Sequence, residues 1–468
     1  MAERTILEER GYQKKILELL HEKLAERKNV IVELDCGLGK RVLTYLLVQR
    51  EFPKFRFLVL LHSSSSLFET LQYLQESYGG VSGLECLSSR TPSGLRLKIV
   101  QEARVVLATP QVSLNVLTKQ KNAANIFDAV LINEVDKFAL RQAHTVSLTF
   151  PWNKLLPLLL QMKPWIVGMS GTLRDFHIAR KGDSYGVIPE LQTIMFAIPN
   201  PSLILMDDLI DTDVEQYVEP LAIKAQGVKD KSTQVLMNEL DSLIEATMKQ
   251  IRNELLETEP EAVKGKSWGE IFPLLPYLLV STDLSERYNT LTMVRKFITA
   301  MTPWRYRRYL SEKLGITKGI SKHLPKYSPK IKKIPEVMKE YNANKSVVLT
   351  SYVETAKAIV KHLEALKYET YLVTGQVTNK QVPLEGFRKT ENRAVLVMSP
   401  IGERDIDLPE AELLIMHDLI RTPKTVYQRL KRIRGGNIVF LFYENTSEAK
   451  KVEDVTNTIT KRYPWPLR

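Results

Sequence analysis

Short runs that are apolar at every position alternate with helix-spaced segments through the first 172 residues of the chain. Val30-Ile31-Val32 leads into a glycine-rich turn, and Phe57-Leu58-Val59-Leu60-Leu61 into a run of serines. Val105-Val106-Leu107-Ala108 precedes Thr109-Pro110, and Ala129-Val130-Leu131-Ile132 precedes an acidic turn. Trp165-Ile166-Val167-Gly168-Met169 precedes Ser170-Gly171-Thr172. Unbroken apolar runs of this length predict strands covered on both faces, as in parallel sheets wrapped by helices. Such sheets bind ligands at the carboxyl ends of their strands. Each polar turn named here falls at such an end.

The pattern then changes. From about Ser232 to Leu310 the periodicity is helical, with Leu236, Leu240, Leu243, Ile251 and Leu255 at helix-face spacing. A lysine-rich, proline-punctuated stretch from Lys318 to Lys333 reads as a linker or an exposed arm. Strand–helix alternation returns from Ser346, with apolar runs at 347–350, 370–373, 394–397, 413–416 and 438–441. The expected fold class is α/β: a parallel-sheet lobe over 1–225, a helical insert and basic linker over 226–340, and a second parallel-sheet lobe over 341–468.

Charge narrows the choice of partner. Sixty-six Lys and Arg face 54 Asp and Glu, a net +12 that favours polyanions such as nucleic acid. Cys36 and Cys86 are the only cysteines, so neither a disulfide framework nor a cysteine-based zinc site is supported. No apolar run is long enough to span a membrane, and the chain is expected to be soluble and intracellular: cytoplasmic or nucleoid, nuclear if eukaryotic.

The strand ends carry the chemistry. Gly37-Leu38-Gly39-Lys40 follows a strand and opens a helix, as a phosphate-binding loop does. Glycines let backbone N–H groups approach phosphate oxygens, the helix end adds positive potential, and the lysine reaches the outer phosphates. The next residue in such loops is Ser or Thr, whose hydroxyl ligates Mg²⁺; here it is Arg41. Thr44, nearly one turn on, is expected to point elsewhere. Leu131-Ile132-Asn133-Glu134-Val135-Asp136 stands where a carboxylate should anchor the ion and a glutamate should orient water. Glu134 is in place, but the anchor is the neutral Asn133, a poor substitute on a hard cation.

Order and spacing of these motifs resemble the Hef/FANCM family of superfamily 2 helicases, which act on branched DNA and stalled forks. Arg10-Gly11-Tyr12-Gln13 looks like the adenine-side Q motif, Leu107 to Gln111 like motif Ib, and Met169 to Thr172 like motif III. Thr350 to Lys357 is similar to motif IV, Val373-Thr374-Gly375-Gln376 to the strand after it, and Ser399 to Pro409 to motif V. Tyr427-Gln428-Arg429-Leu430-Lys431-Arg432-Ile433-Arg434-Gly435 resembles the motif whose arginines stabilise charge on the γ-phosphate. The resemblance implies two RecA-like lobes, a thumb-like helical insert that contacts DNA, and ATP with Mg²⁺ as cofactors. It implies Arg10, Tyr12, Gln13, Gly37, Gly39 and Lys40 as nucleotide contacts, and Glu134, Gln428 and Arg432 as catalytic groups if the engine runs. Thr109, Gly375, Gln376 and Ser399 are implied on nucleic acid.

The departures concentrate on the engine. Arg41, Asn133, Asp136 (a histidine in DEAH-type members) and Gly435 break the ATPase motifs, and Asp405 replaces a motif V glycine. The glutamine-rich helix expected after Gln376 is shortened to Val377–Leu384, and no nuclease or helix-hairpin-helix module is expected after residue 468. DNA contact has separate support at Trp304-Arg305-Tyr306-Arg307-Arg308-Tyr309, where arginines and aromatics interleave as phosphate contact and base stacking require. Lys313, Lys318, Lys322, Lys326, Lys330, Lys332 and Lys333 extend that run. Gln381, Leu384 and Phe387 faintly resemble a sliding-clamp peptide. The expectation is a platform for branched DNA that positions a partner such as a structure-specific XPF-type nuclease. An active ATP-dependent helicase and an RNA-processing helicase-like factor are the alternatives.

Overall fold

Central strands buried almost throughout, flanked by partly exposed edge strands, make up two parallel sheets. The computed structural model describes residues 9–35, 37–119, 126–142, 145–171, 173–175, 186–187, 189–218, 222–312, 328–377, 379–399, 410–419, 426, 430 and 436–462. The chain divides after Glu219 into two compact units.

In the first unit, strands β1 (Asn29–Glu33), β2 (Phe57–Leu60), β3 (Leu84–Leu87), β4 (Val105–Ala108), β5 (Ala129–Asn133), β6 (Trp165–Ser170) and β7 (Pro201–Ile204) pair in parallel in the order β7-β1-β6-β5-β2-β4-β3. Helices α1 (Gly11–Ala25), α2 (Lys40–Tyr45), α3 (Ser64–Glu76), α4 (Ser93–Glu102), α5 (Pro110–Leu117), α6 (Trp152–Gln161) and α7 (Pro189–Ala197) connect them. Two apolar cores result. One gathers Val30, Val59, Leu107, Leu131 and Val167; the other gathers their chain neighbours Ile31, Leu58, Val106, Val130 and Ile166. This is the alternation of a sheet covered on both faces.

The second unit begins with β8 (Ala222–Val228). The insert follows as α8 (Lys231–Thr258), α9 (Pro260–Val263), α10 (Trp268–Ile271), α11 (Thr282–Ala300) and α12 (Pro303–Glu312). Then come α13 (Pro329–Glu340), β9 (Lys345–Leu349), α14 (Val353–Ala365), β10 (Glu369–Val373), α15 (Gln381–Lys389), β11 (Ala394–Met398), β12 (Leu413–Met416), β13 (Asn437–Tyr443) and α16 (Ser447–Arg462). The sheet is parallel throughout, ordered β8-β13-β12-β9-β11-β10. The division expected at residue 225 falls inside β8, whose seven residues all pair with β13. No helix among the described residues is long and apolar enough to cross a membrane.

Three expectations are corrected here. The stretch to Lys333 is not wholly a linker, because α13 starts at Pro329 and buries Ile331, Ile334, Val337 and Met338. Lys330 belongs to no exposed basic run: it is fully buried, with its Nζ 2.5 Å from Glu448 Oε1. The same ammonium donates to the carbonyls of Thr299 (3.0 Å) and His417 (3.3 Å). Beside it Asp418 accepts from Thr350 Oγ1 (2.8 Å) and from the Ser351 N–H (2.9 Å) and hydroxyl. Burial holds the His417 imidazole below its ordinary pKa despite the adjoining Asp418. The sliding-clamp peptide is also excluded as an exposed motif. Leu384 and Phe387 lie fully buried on α15, Phe387 edge-on to Tyr371 at 5.9 Å, so neither side chain is presented to a partner.

Candidate functional site

Strands β1, β6 and β5 are neighbours, so their carboxyl ends bring three motifs together: Glu33 registers with Ser170, and Asn133 with Met169. Beyond β1 the phosphate loop turns on two glycines with left-handed backbone, Gly37 at φ +87° and Gly39 at φ +79°. A Cβ at position 39 would lie 3.0 Å from Gln13 Nε2, whereas one at position 37 would meet nothing within 4 Å. The loop backbone is therefore open to a ligand at one glycine and braced from behind at the other. Lys40 Nζ donates to the loop's own carbonyls, Leu34 at 2.9 Å and Asp35 at 3.3 Å.

The three expected adenine-side residues form the brace. Tyr12, fully buried, donates its hydroxyl to Leu38 O at 2.9 Å, and burial raises that hydroxyl's pKa, which keeps the donor protonated. Gln13 Oε1 accepts from the Arg10 N–H at 3.2 Å, closing the start of α1. The Arg10 guanidinium lies 3.9 Å from the centre of the Tyr217 ring. Asp213 fixes the same corner by accepting from the N–H groups of Gly11 and Tyr12 at 2.9 and 2.7 Å. Sequence reading missed Asp213 and Tyr217, which stand some 200 positions away at the two ends of a short 3₁₀ turn without a motif.

The magnesium positions differ. Arg41, in the hydroxyl position, points its Nη2 at Glu69 Oε2 of α3, 2.5 Å away. Thr44 cannot replace the hydroxyl, being fully buried with Oγ1 bonded to Lys40 O at 3.0 Å. Asn133 is buried at the end of β5, and its Oδ1 has no hydrogen-bond partner in the structure. No group of three or more His, Cys, Asp or Glu suited to a metal occurs among the described residues. A guanidinium and a neutral amide do not fit Mg²⁺, a hard cation that takes carboxylate and hydroxyl oxygens. The glycine cradle does suit phosphate oxygens.

Glu134 adopts a left-handed backbone, φ +53°, and its carboxylate is 3.4 Å from His62 Nδ1. His62 follows β2 and carried no recognisable pattern. Asp136, a departure from the expected histidine, is buried and accepts from Ser170 Oγ at 2.6 Å. The Ser170–Asp136 bond thus couples two of the strand-end motifs. Gln428, Arg432, Gly435, Asp405, Thr172, the lysines at 313–326 and most of motif V lie outside the described residues.

Of the residues expected on nucleic acid, Thr109 occupies the N-cap position of α5 at the end of β4, without a side-chain capping bond. Gly375 and Gln376 are exposed just beyond β10, whereas Ser399 is buried. On α12 the interleaved pattern resolves into two faces. Tyr306 is buried in the insert core and Tyr309 meets Phe297 edge-on at 5.0 Å. Arg305, Arg307 and Arg308 are exposed, as is Trp304 at 67%.

Three likenesses accompany this geometry. A family model described as the Helicase conserved C-terminal domain matches residues 329–436. The ATP-dependent DNA helicase mph1 of Neurospora crassa is 30% identical over 135 residues, which is 26% of this chain and 12% of that protein. The crystal structure of the Pyrococcus furiosus Hef helicase domain superposes with a TM-score of 0.60 at 17% identity, over 95% of this chain and 98% of that one. The chain has the fold of the Hef helicase domain.

Proposed function

We propose that this chain is a helicase-fold DNA-binding protein for branched or forked DNA, with ATP hydrolysis weak or lost, serving as a platform for a partner nuclease. One observation carries the reading: both magnesium positions are altered, Arg41 turned to Glu69 and Asn133 neutral and buried, while the cationic face of α12 stays outward. The Pyrococcus furiosus relative in fold is a Hef helicase domain, and the Neurospora crassa relative in sequence an ATP-dependent DNA helicase. An active helicase is the second reading, favoured by the intact Ser170–Asp136 bond and by Lys40 and Glu134.

Binding to forked DNA without nucleotide should fall about a thousandfold between roughly 50 and 200 mM salt if about six phosphates are neutralised. Changing Arg305, Arg307 and Arg308 together to Ala should weaken binding to all sequences alike and lower the salt slope by about three. Thermal stability should move by less than about half a kcal/mol per change, as at other surface sites. Titrations of labelled forks at several salt concentrations check this. A triple variant that binds like the parent removes α12 from the interface, and a parent that ignores forks at low salt ends the DNA reading.

A further inference from the structure

The two ends of the insert differ in chemistry. Its longest helix, α8, starts at Lys231 with Asp230 as its cap and runs 28 residues, about 42 Å at 1.5 Å per residue. Near that start lies the root of α12, since α11 runs antiparallel to α8, with Arg295 Nη1 2.8 Å from Asp241 Oδ1 and the Ser281 N–H on Glu254 Oε1, and α12 follows the end of α11. The other end is built from the last turns of α8, then α9, α10, the 3₁₀ turn Phe272–Tyr277 and the entry to α11. Hydrogen bonds hold it together: Glu259 Oε1 accepts from the Leu279 N–H at 2.7 Å, and Glu254 Oε1 from the Ser281 N–H at 2.8 Å.

This tip is apolar and acidic. Tyr277 is 77% exposed and Leu279 72%, with Leu256 and Phe272 also outward. Glu254, Glu257, Glu259, Glu261, Glu270 and Asp283 face Arg252, Lys264 and Lys266: six carboxylates against three cations, net −3 in a chain of +12. Two of the cations are tied to the tip's own backbone, Arg252 to Lys266 O at 2.9 Å and Lys266 to Glu261 O at 3.2 Å. Neither nucleic acid nor an anionic lipid surface suits such a patch, since like charges repel. An exposed tyrosine and leucine rimmed by carboxylates match a protein segment with an apolar face and basic flanks.

We propose that the insert tip docks a basic, amphipathic segment of a partner protein, with Tyr277 and Leu279 as anchors and Glu257 and Glu261 as the charges that select it. This deepens the platform reading by placing the partner away from the α12 cations, so that one insert serves DNA at its root and protein at its tip.

The test uses the full chain and a labelled peptide of leucine and lysine at helical spacing, with leucine–glutamate and serine–lysine peptides as controls. The leucine–lysine peptide should bind, and each control should bind at least about tenfold more weakly. Changing Tyr277 and Leu279 together to Ser should weaken the peptide about tenfold or more, as should changing Glu257 and Glu261 together to Lys. Affinity for forked DNA should stay within about twofold in both, while the α12 triple variant keeps the peptide and loses the fork. A peptide that binds parent and tip variants equally, or binds neither, overturns the proposal. So does weaker fork binding in the serine variant, which would make the tip a nucleic-acid surface. Concentration-dependent self-association abolished by the tip variants would make a second copy the occupant and overturn it as well. Failure at the tip with fork binding intact leaves the DNA reading standing, and the reverse pattern leaves the docking surface standing.

Discussion

Changing Lys330 to Met should destabilise the second unit by about 3–5 kcal/mol, the usual cost of leaving one member of a buried ion pair alone. Lys330 is fully buried, Glu448 is 4% exposed, and their charged atoms are 2.5 Å apart. Glu448 also accepts from the Tyr443 N–H at 2.9 Å, so it cannot swing out to water without breaking the end of β13. With the ammonium gone, the carboxylate must stay charged in an apolar site or take up a proton, and the carbonyls of Thr299 and His417 lose their donor. Removing both charges, Lys330→Met with Glu448→Leu, should recover much of the loss, because two apolar groups of similar volume need no partner. Urea denaturation of the full chain checks both variants. A single change costing under about 1 kcal/mol, or a double change no better than the single, would show that the pair contributes little.

Hydrolysis of Mg-ATP should be slower than that of a competent helicase by several powers of ten, with or without forked DNA. Phosphoryl transfer depends on positioning and on neutralising charge at the β- and γ-phosphates, and on the proposed reading neither position expected to anchor the ion that does this carries a suitable ligand. Arg41 is held by Glu69 at 2.5 Å, and Asn133 offers only an amide oxygen. Restoring Thr at 41 and Asp at 133 together should recover little while position 435 holds glycine in place of the γ-phosphate arginine. Phosphate release assays with parent and double variant settle the matter. DNA-stimulated turnover near one per second in the parent would establish a working motor.

Periodicity made the two sheets legible, because a strand buried on both faces has no choice but to be apolar throughout, as at Val105–Ala108. The phosphate loop was legible for a different reason: glycine at 37 and 39 answers to backbone angles few other residues tolerate. Partnerships at long range left no such trace. Lys330 looked like one more lysine in a basic run, since nothing local to residues 326–333 announces that Glu448, 118 positions away, waits for it in the core. The same holds for Asp213 beneath Tyr12 and for Glu69 beside Arg41, where acidic residues sit in otherwise ordinary surface sequence. On α12 the interleaving of arginine with aromatics was visible, but only the helix phase assigns Tyr306 to the core and Trp304 to solvent.

The last turn of α11 behaves as a kinematic mount. Three fixings meet there: the Thr299 carbonyl under Lys330, the Ala300 carbonyl under Thr355 Oγ1 at 2.8 Å, and the Phe297 ring edge-on to Tyr352 at 6.0 Å. Separate constraints on neighbouring points of one helix end remove its rotations as well as its translations. A load applied to α12, which begins three residues after α11 ends, therefore reaches the second sheet through these fixed points.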